Sequence, residues 1–166
     1  MLAFETWLAG RSKQVAALIN RQQEPICTYV AERLETSYAT LCYDPVRPDA
    51  RSFQVRAFSE TPRRYHRLMQ AALRFNSLQI IEREYYWAWN VLVRHRIERH
   101  HLQAQVRWYY QGVREYVDLE HTDVANFETF TSHVLLIIDR VTGHAPGFQD
   151  PRMPRGNGHS QGVYNS

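Results

Sequence analysis

Cysteine is nearly absent. Cys27 and Cys42 are the only two in 166 residues, too few for a disulfide framework or a four-thiolate zinc site, and they read as reduced, half-buried thiols. Lysine occurs once, at Lys13, so the other basic residues are arginine. Long apolar runs are missing: the longest purely aliphatic stretch is Val134-Leu135-Leu136-Ile137-Ile138, far short of the ~20 residues that cross a bilayer. No proline lies between Pro62 and Pro146, and Gly112 is the only glycine between Gly10 and Gly143. Long helices need that absence, because proline costs roughly 3 kcal/mol and glycine roughly 1 kcal/mol inside one. There is no glycine-rich phosphate loop, no His-Glu-x-x-His and no Gly-x-Ser-x-Gly. No nucleophile or acid–base pair can be assembled from the spacing, so the chain is expected not to be an enzyme.

What is present is apolar residue in quantity, 44% of the chain, enough to fill the core of one domain. Charge is unevenly placed. Residues 63–114 hold ten arginines against Glu82, Glu84 and Glu98, about +7, and the flanks together come to about −4. A basic face of that kind expects an acidic partner. Arginine suits one, since its planar fork pairs with carboxylates and stacks on rings.

Periodicity gives an all-α fold, an antiparallel bundle with long central helices. Phe4, Trp7, Leu8, Val15, Leu18 and Ile19 space as one helix; Pro25 suits the first position of a second, striped by Ile26, Tyr29, Val30, Leu34, Tyr38 and Leu41. These make an N-terminal helical pair over 1–42. Phe53, Val55 and Ala57 alternate with Gln54 and Arg56, which predicts an extended segment over 43–60. Thr61-Pro62 predicts a helix start. Tyr65, Leu68, Met69, Ala72 and Phe75 follow it, then Leu78, Ile81, Tyr85, Ala88 and Leu92, then Leu102, Val106, Tyr109, Val113 and Tyr116. Whether residues 77–119 form one helix or two, with turns near Asn76 and His101, is left open by spacing alone. Asp123 is expected to cap a last helix over 123–142, and Gly143 to end it. The helical domain is thus bounded at 1–144. Residues 145–166, with four glycines and three prolines, predict an extended tail that a partner surface would hold.

Two clusters invite chemistry. Glu98 and His101 have the Glu-x-x-His spacing of di-iron bundles, but it occurs once and among arginines, so a solvated basic face is expected there and no metal site. The eight histidines are expected at the surface. The rings of Tyr85-Tyr86-Trp87-Ala88-Trp89 and Trp108-Tyr109-Tyr110 point to several helix faces, more than one core stripe can bury, so some should meet arginine or a second protein.

The stretch Arg64-Tyr65-His66-Arg67-Leu68-Met69-Gln70-Ala71-Ala72-Leu73-Arg74-Phe75 resembles the opening helix of the LYR-motif family, with Tyr65 and Phe75 ten residues apart. Gly112, followed by Tyr116 and Leu119, is similar to that family's third helix. The resemblance covers roughly residues 61–120 and departs from the motif at Arg64 and His66, where the family has Leu and Arg. It implies a three-helix part over 61–120 and a mitochondrial location, soluble or peripheral to the inner membrane. The role implied is that of an accessory subunit or assembly factor, of the respiratory chain or, in this reading, ATP synthase. It also implies docking of an acyl carrier protein bearing acyl-phosphopantetheine. Arg63, Arg64, Arg67 and Arg74 would offer the charges, and Tyr65, Leu68, Met69, Ala72 and Phe75 would line an apolar gap for the acyl chain. The rival expectations are a nucleic-acid-binding protein, mitoribosomal for example, using the basic 63–114 face, and a bacterial or phage helical-bundle protein, structural or sensory.

Overall fold

A computed structural model describes residues 2–39 and 53–143 of the chain. Every regular element among them is helical: α1 (Leu2–Gly10), α2 (Ser12–Arg21), α3 (Gln23–Ser37), α4 (Phe53–Arg74), α5 (Gln79–Leu92), α6 (Arg99–Tyr116) and α7 (His121–Thr142), with a 3-10 turn at Val93–His95. The fold is all-α, as the periodicity requires.

Side-chain pairs fix the antiparallel arrangement. Glu24 meets Arg63 and Tyr38 meets Phe58 between α3 and α4, while Arg64 meets Glu84 between α4 and α5. Glu82 meets Arg140 between α5 and α7, and Gln103 meets Asp139 between α6 and α7. Tyr29 meets Gln111 and Tyr38 meets His101 between α3 and α6. Glu82–Arg140, Gln103–Asp139 and Tyr38–His101 each set the start of one helix by the end of the other. The helices close a ring in the order α3, α4, α5, α7, α6. Ile26, Met69, Leu73, Ile81, Tyr109, Phe127, Phe130 and Ile138 fill it. Each such burial stabilises the fold by roughly 1.5–3 kcal/mol. Gly112 permits a close approach of α6 to α3: a Cβ there would stand 3.3 Å from Ile26 Cγ2.

The N-terminal helices clasp this ring. α2 lies on α4 through three polar steps four residues apart: Ser12 Oγ lies 2.8 Å from the Leu73 carbonyl, Gln70 Nε2 donates to Ala16 O at 2.8 Å, and His66 meets Asn20. α1 reaches α7, where Trp7 Nε1 donates to Asp123 Oδ1 at 2.9 Å and Arg11 ion-pairs with Asp123 and Glu120.

Several sequence expectations are corrected. Residues 4–19 are two helices, not one, broken at Arg11. Residues 53–60 are helical rather than extended, and Thr61-Pro62 lies inside α4 instead of starting it. Three apolar residues alternating over five positions fit either period, and Pro62, lacking an N–H, only frees the Phe58 carbonyl from its bond. Gln105 Nε2 on α6 donates to Thr61 O at 3.1 Å, tying the proline turn across the bundle. Phe58, Thr61, His101 and Gln105 line a cavity of about 20 Å³ there, room for about one water. Asp123 sits within the first turn of α7, with Glu120 at the cap position, and is spent on Trp7 and Arg11. Residues 77–119 form two helices. The turn falls at Val93–Glu98, ahead of His101, with Arg96 left-handed at φ 62°. Residues 43–52, Cys42 and the tail over 145–166 lie outside the described residues.

Candidate docking face on α4 and α5

The spacing of α4 sorts its residues onto different sides. Tyr65, Met69 and Ala72 point into the ring; Tyr65 packs edge-on to Tyr109 with centroids 4.9 Å apart. Leu68 is half-buried, whereas Phe75, one turn past Ala71, is 74% exposed. The structure therefore does not gather these five along one open gap: three are closed inside the core and Phe75 stands outside it.

The arginines divide likewise. Arg63 faces α3 and holds Glu24 at 2.6 Å. Arg64 faces α5, where its Nε donates to Glu84 Oε1 at 2.9 Å and its guanidinium lies over the Trp87 ring, 5.2 Å from the centroid. Arg67 and Arg74 are exposed and, among the described residues, have no carboxylate partner. α5 continues the face. Tyr85, at 7% exposure, and Ile81 point inward, while Trp87 and Val91 point out, 60% and 41% exposed, between exposed Arg83 and Arg94. Phe75, Trp87 and Val91 are three of the large exposed apolar side chains of the described residues. This bears out the expectation that one core stripe cannot bury every ring of 85–89. Trp87 is legible in the sequence only as one ring of 85–89, and Arg83, Val91 and Arg94 are not marked there as contact residues. Their spacing of four, four and three was the available signal.

His66 is not at the surface. It is 1% exposed, its Nε2 donates to Asn20 Oδ1 at 3.1 Å and Tyr109 Oη donates to its Nδ1 at 2.6 Å. That tautomer follows from an acceptor on one side and a hydroxyl on the other. Burial, helped by Arg67 and Arg74, lowers its pKa to about 4, so the ring is neutral at pH 7. His101 is likewise buried. Its Nδ1 accepts the backbone N–H of Glu98 at 2.8 Å, so the Glu98–His101 pair caps the start of α6. Burial raises the Cys27 thiol to about 11, against a smaller opposing pull from Arg63, which leaves it protonated and a poor nucleophile. Among the described residues no group of three His, Cys, Asp or Glu is gathered as metal ligands. No described helix is long and apolar enough to cross a membrane.

Comparison with protein-family models, with curated proteins and with solved structures finds no match to this chain.

Proposed function

We propose that this protein works by contact, as a non-catalytic accessory subunit of a multiprotein complex, and that the outer face of α4 docks an acidic protein. The observation that carries the reading is the pair Arg67 and Arg74, two turns apart on that face, exposed and without a carboxylate partner among the described residues. Guanidinium groups left open beside exposed Phe75 match the side chains that anchor protein interfaces. The finer proposal follows the LYR-motif resemblance: the complex is mitochondrial, of the respiratory chain or ATP synthase, and the docked protein is an acyl carrier protein. With Tyr65, Met69 and Ala72 inside the core, docking rests on the carrier's acidic surface rather than on its acyl chain.

Anisotropy of a labelled mitochondrial acyl carrier protein, titrated with the wild type and with Arg67→Glu plus Arg74→Glu, tests this. The expected result is binding that weakens at least tenfold in the double variant and is alike for the apo and acylated carrier. Equal affinity of wild type and double variant at physiological salt would sink the reading.

A second reading is supported by the Arg64–Trp87 stack, since aromatic rings among arginines also suit single-stranded nucleic acid. Its mark is an affinity for oligonucleotide that falls steeply and log-linearly with salt.

A further inference from the structure

We infer that the outer strip of α5 is a second contact surface, distinct from Arg67 and Arg74, and that it takes an amphipathic helix of a partner protein whose apolar stripe is edged with carboxylates. This rests on the contact reading above but names a surface that reading does not use.

Half-buried Ile80, Trp87 and Val91 form a line along the helix, and Arg83 and Arg94 stand beside it. Ile80 and Val91 are eleven residues apart, so at 1.5 Å per residue the line is about 16 Å long, about three turns of a partner helix. Trp87 is its centre. One side of the ring is occupied by Arg64, which Glu84 holds in place, so the indole is fixed while it remains 60% exposed. A large side chain ordered before binding loses little entropy on contact.

The charges select the partner's edges. Arg83 on α5 and Arg94 in the 3-10 turn that follows it have no carboxylate partner among the described residues, and they bracket Trp87 and Val91. A partner helix lying along the strip would set its own flanking residues against them, and carboxylates there would form charge-assisted pairs. The apolar members separate this occupant from a nucleic acid. Ile80 and Val91 offer a phosphate backbone nothing, and Glu84 places a carboxylate beside the one stacked ring.

The test uses three probes against the full chain: a 16-residue helical peptide with a leucine stripe edged by glutamate, the same peptide edged by glutamine, and a 16-nucleotide oligothymidine. The readout is the indole N–H signal of Trp87 in a ¹H–¹⁵N spectrum, assigned by its loss in Trp87→Phe. The expected result is that the glutamate-edged peptide shifts this signal and binds at least tenfold more tightly than the glutamine-edged one. Arg83→Glu plus Arg94→Glu should abolish that preference. Trp87→Ala, followed by intrinsic fluorescence of the remaining tryptophans or by calorimetry, should weaken binding at least tenfold. All these positions are exposed, so helicity and thermal midpoint should stay at wild-type values. A Trp87 signal that the glutamate-edged peptide leaves unmoved overturns the inference, as does equal affinity for both peptides or tighter binding of the oligothymidine. The Arg67→Glu plus Arg74→Glu variant separates the two readings: it should lose the carrier protein and still bind the peptide.

Discussion

Arg96 occupies the left-handed region at φ 62°, just past the 3-10 turn Val93–His95, while Ile97 N–H reaches back to Leu92 O at 3.1 Å. This is the closing turn in which glycine is usual, and a side chain there costs on the order of 1 kcal/mol. Arg96→Gly should therefore raise stability by about 0.5–1 kcal/mol in urea titration; a loss of stability would show that the arginine makes a compensating contact. His66 carries the opposite kind of sensitivity. Its folded pKa, about 4, lies below the free imidazole value of 6.5. Between those two values the unfolded chain binds a proton that the folded chain refuses, so stability falls as pH falls through that window and levels off below it. From pH 7 to pH 5 this one group should remove about 2 kcal/mol. Denaturation midpoints at the two pH values should therefore move much less in His66→Gln than in the wild type. Equal slopes would mean that His66 is not buried neutral.

Where two helices meet, single residues decide whether they can. Asp123 is the only described carboxylate in reach of both Trp7 and Arg11, and it is 2% exposed. Asp123→Ala strands the buried indole N–H of Trp7 and leaves Arg11 to Glu120, a loss of about 1–3 kcal/mol. It should also free α1: hydrogen exchange should speed at 2–10 while α6 and α7 keep their protection. Gly112 sets the spacing of α3 and α6, and a leucine there would drive into Ile26. Gly112→Leu should cost about 3 kcal/mol, read from the thermal midpoint.

Much of this level was legible. The stripes Leu102, Val106, Tyr109, Val113 and Phe127, Phe130, Val134, Ile137, Ile138, Val141 are buried as spaced, whereas Tyr116, the last member of the first stripe, is 40% exposed. The illegible parts have physical causes. The break at Arg11 keeps the apolar period running on both sides, so no phase slip marks it. The turn before α6 lacks a glycine because Arg96 takes its place. Pro62 reads as a helix start, yet lies mid-helix, where its missing N–H releases the Phe58 carbonyl and leaves the rest of the turn helical. His66 and His101 look like surface histidines because the partners that bury them, Asn20 and Tyr109 for one and Glu98 for the other, lie on other helices or on the backbone.

Across the whole molecule, one core runs from Trp7 to Val141, so no described helix stands apart from it. The basic middle of the sequence is partly answered by its own flanks, Glu24 on Arg63 and Asp139 on Arg99. The outer faces of α4 and α5, with the turn that follows α5, keep Arg67, Arg74, Arg83 and Arg94 without such answers among the described residues. That residue of uncompensated charge, beside exposed Phe75, Trp87 and Val91, is the basis for reading the protein as one that acts by contact. Native mass spectrometry of the full chain coexpressed with a mitochondrial acyl carrier protein tests the claim most directly. The account predicts a one-to-one complex for the wild type and its loss in Arg67→Glu plus Arg74→Glu. A wild-type chain that flies alone, or only as its own dimer, would contradict it.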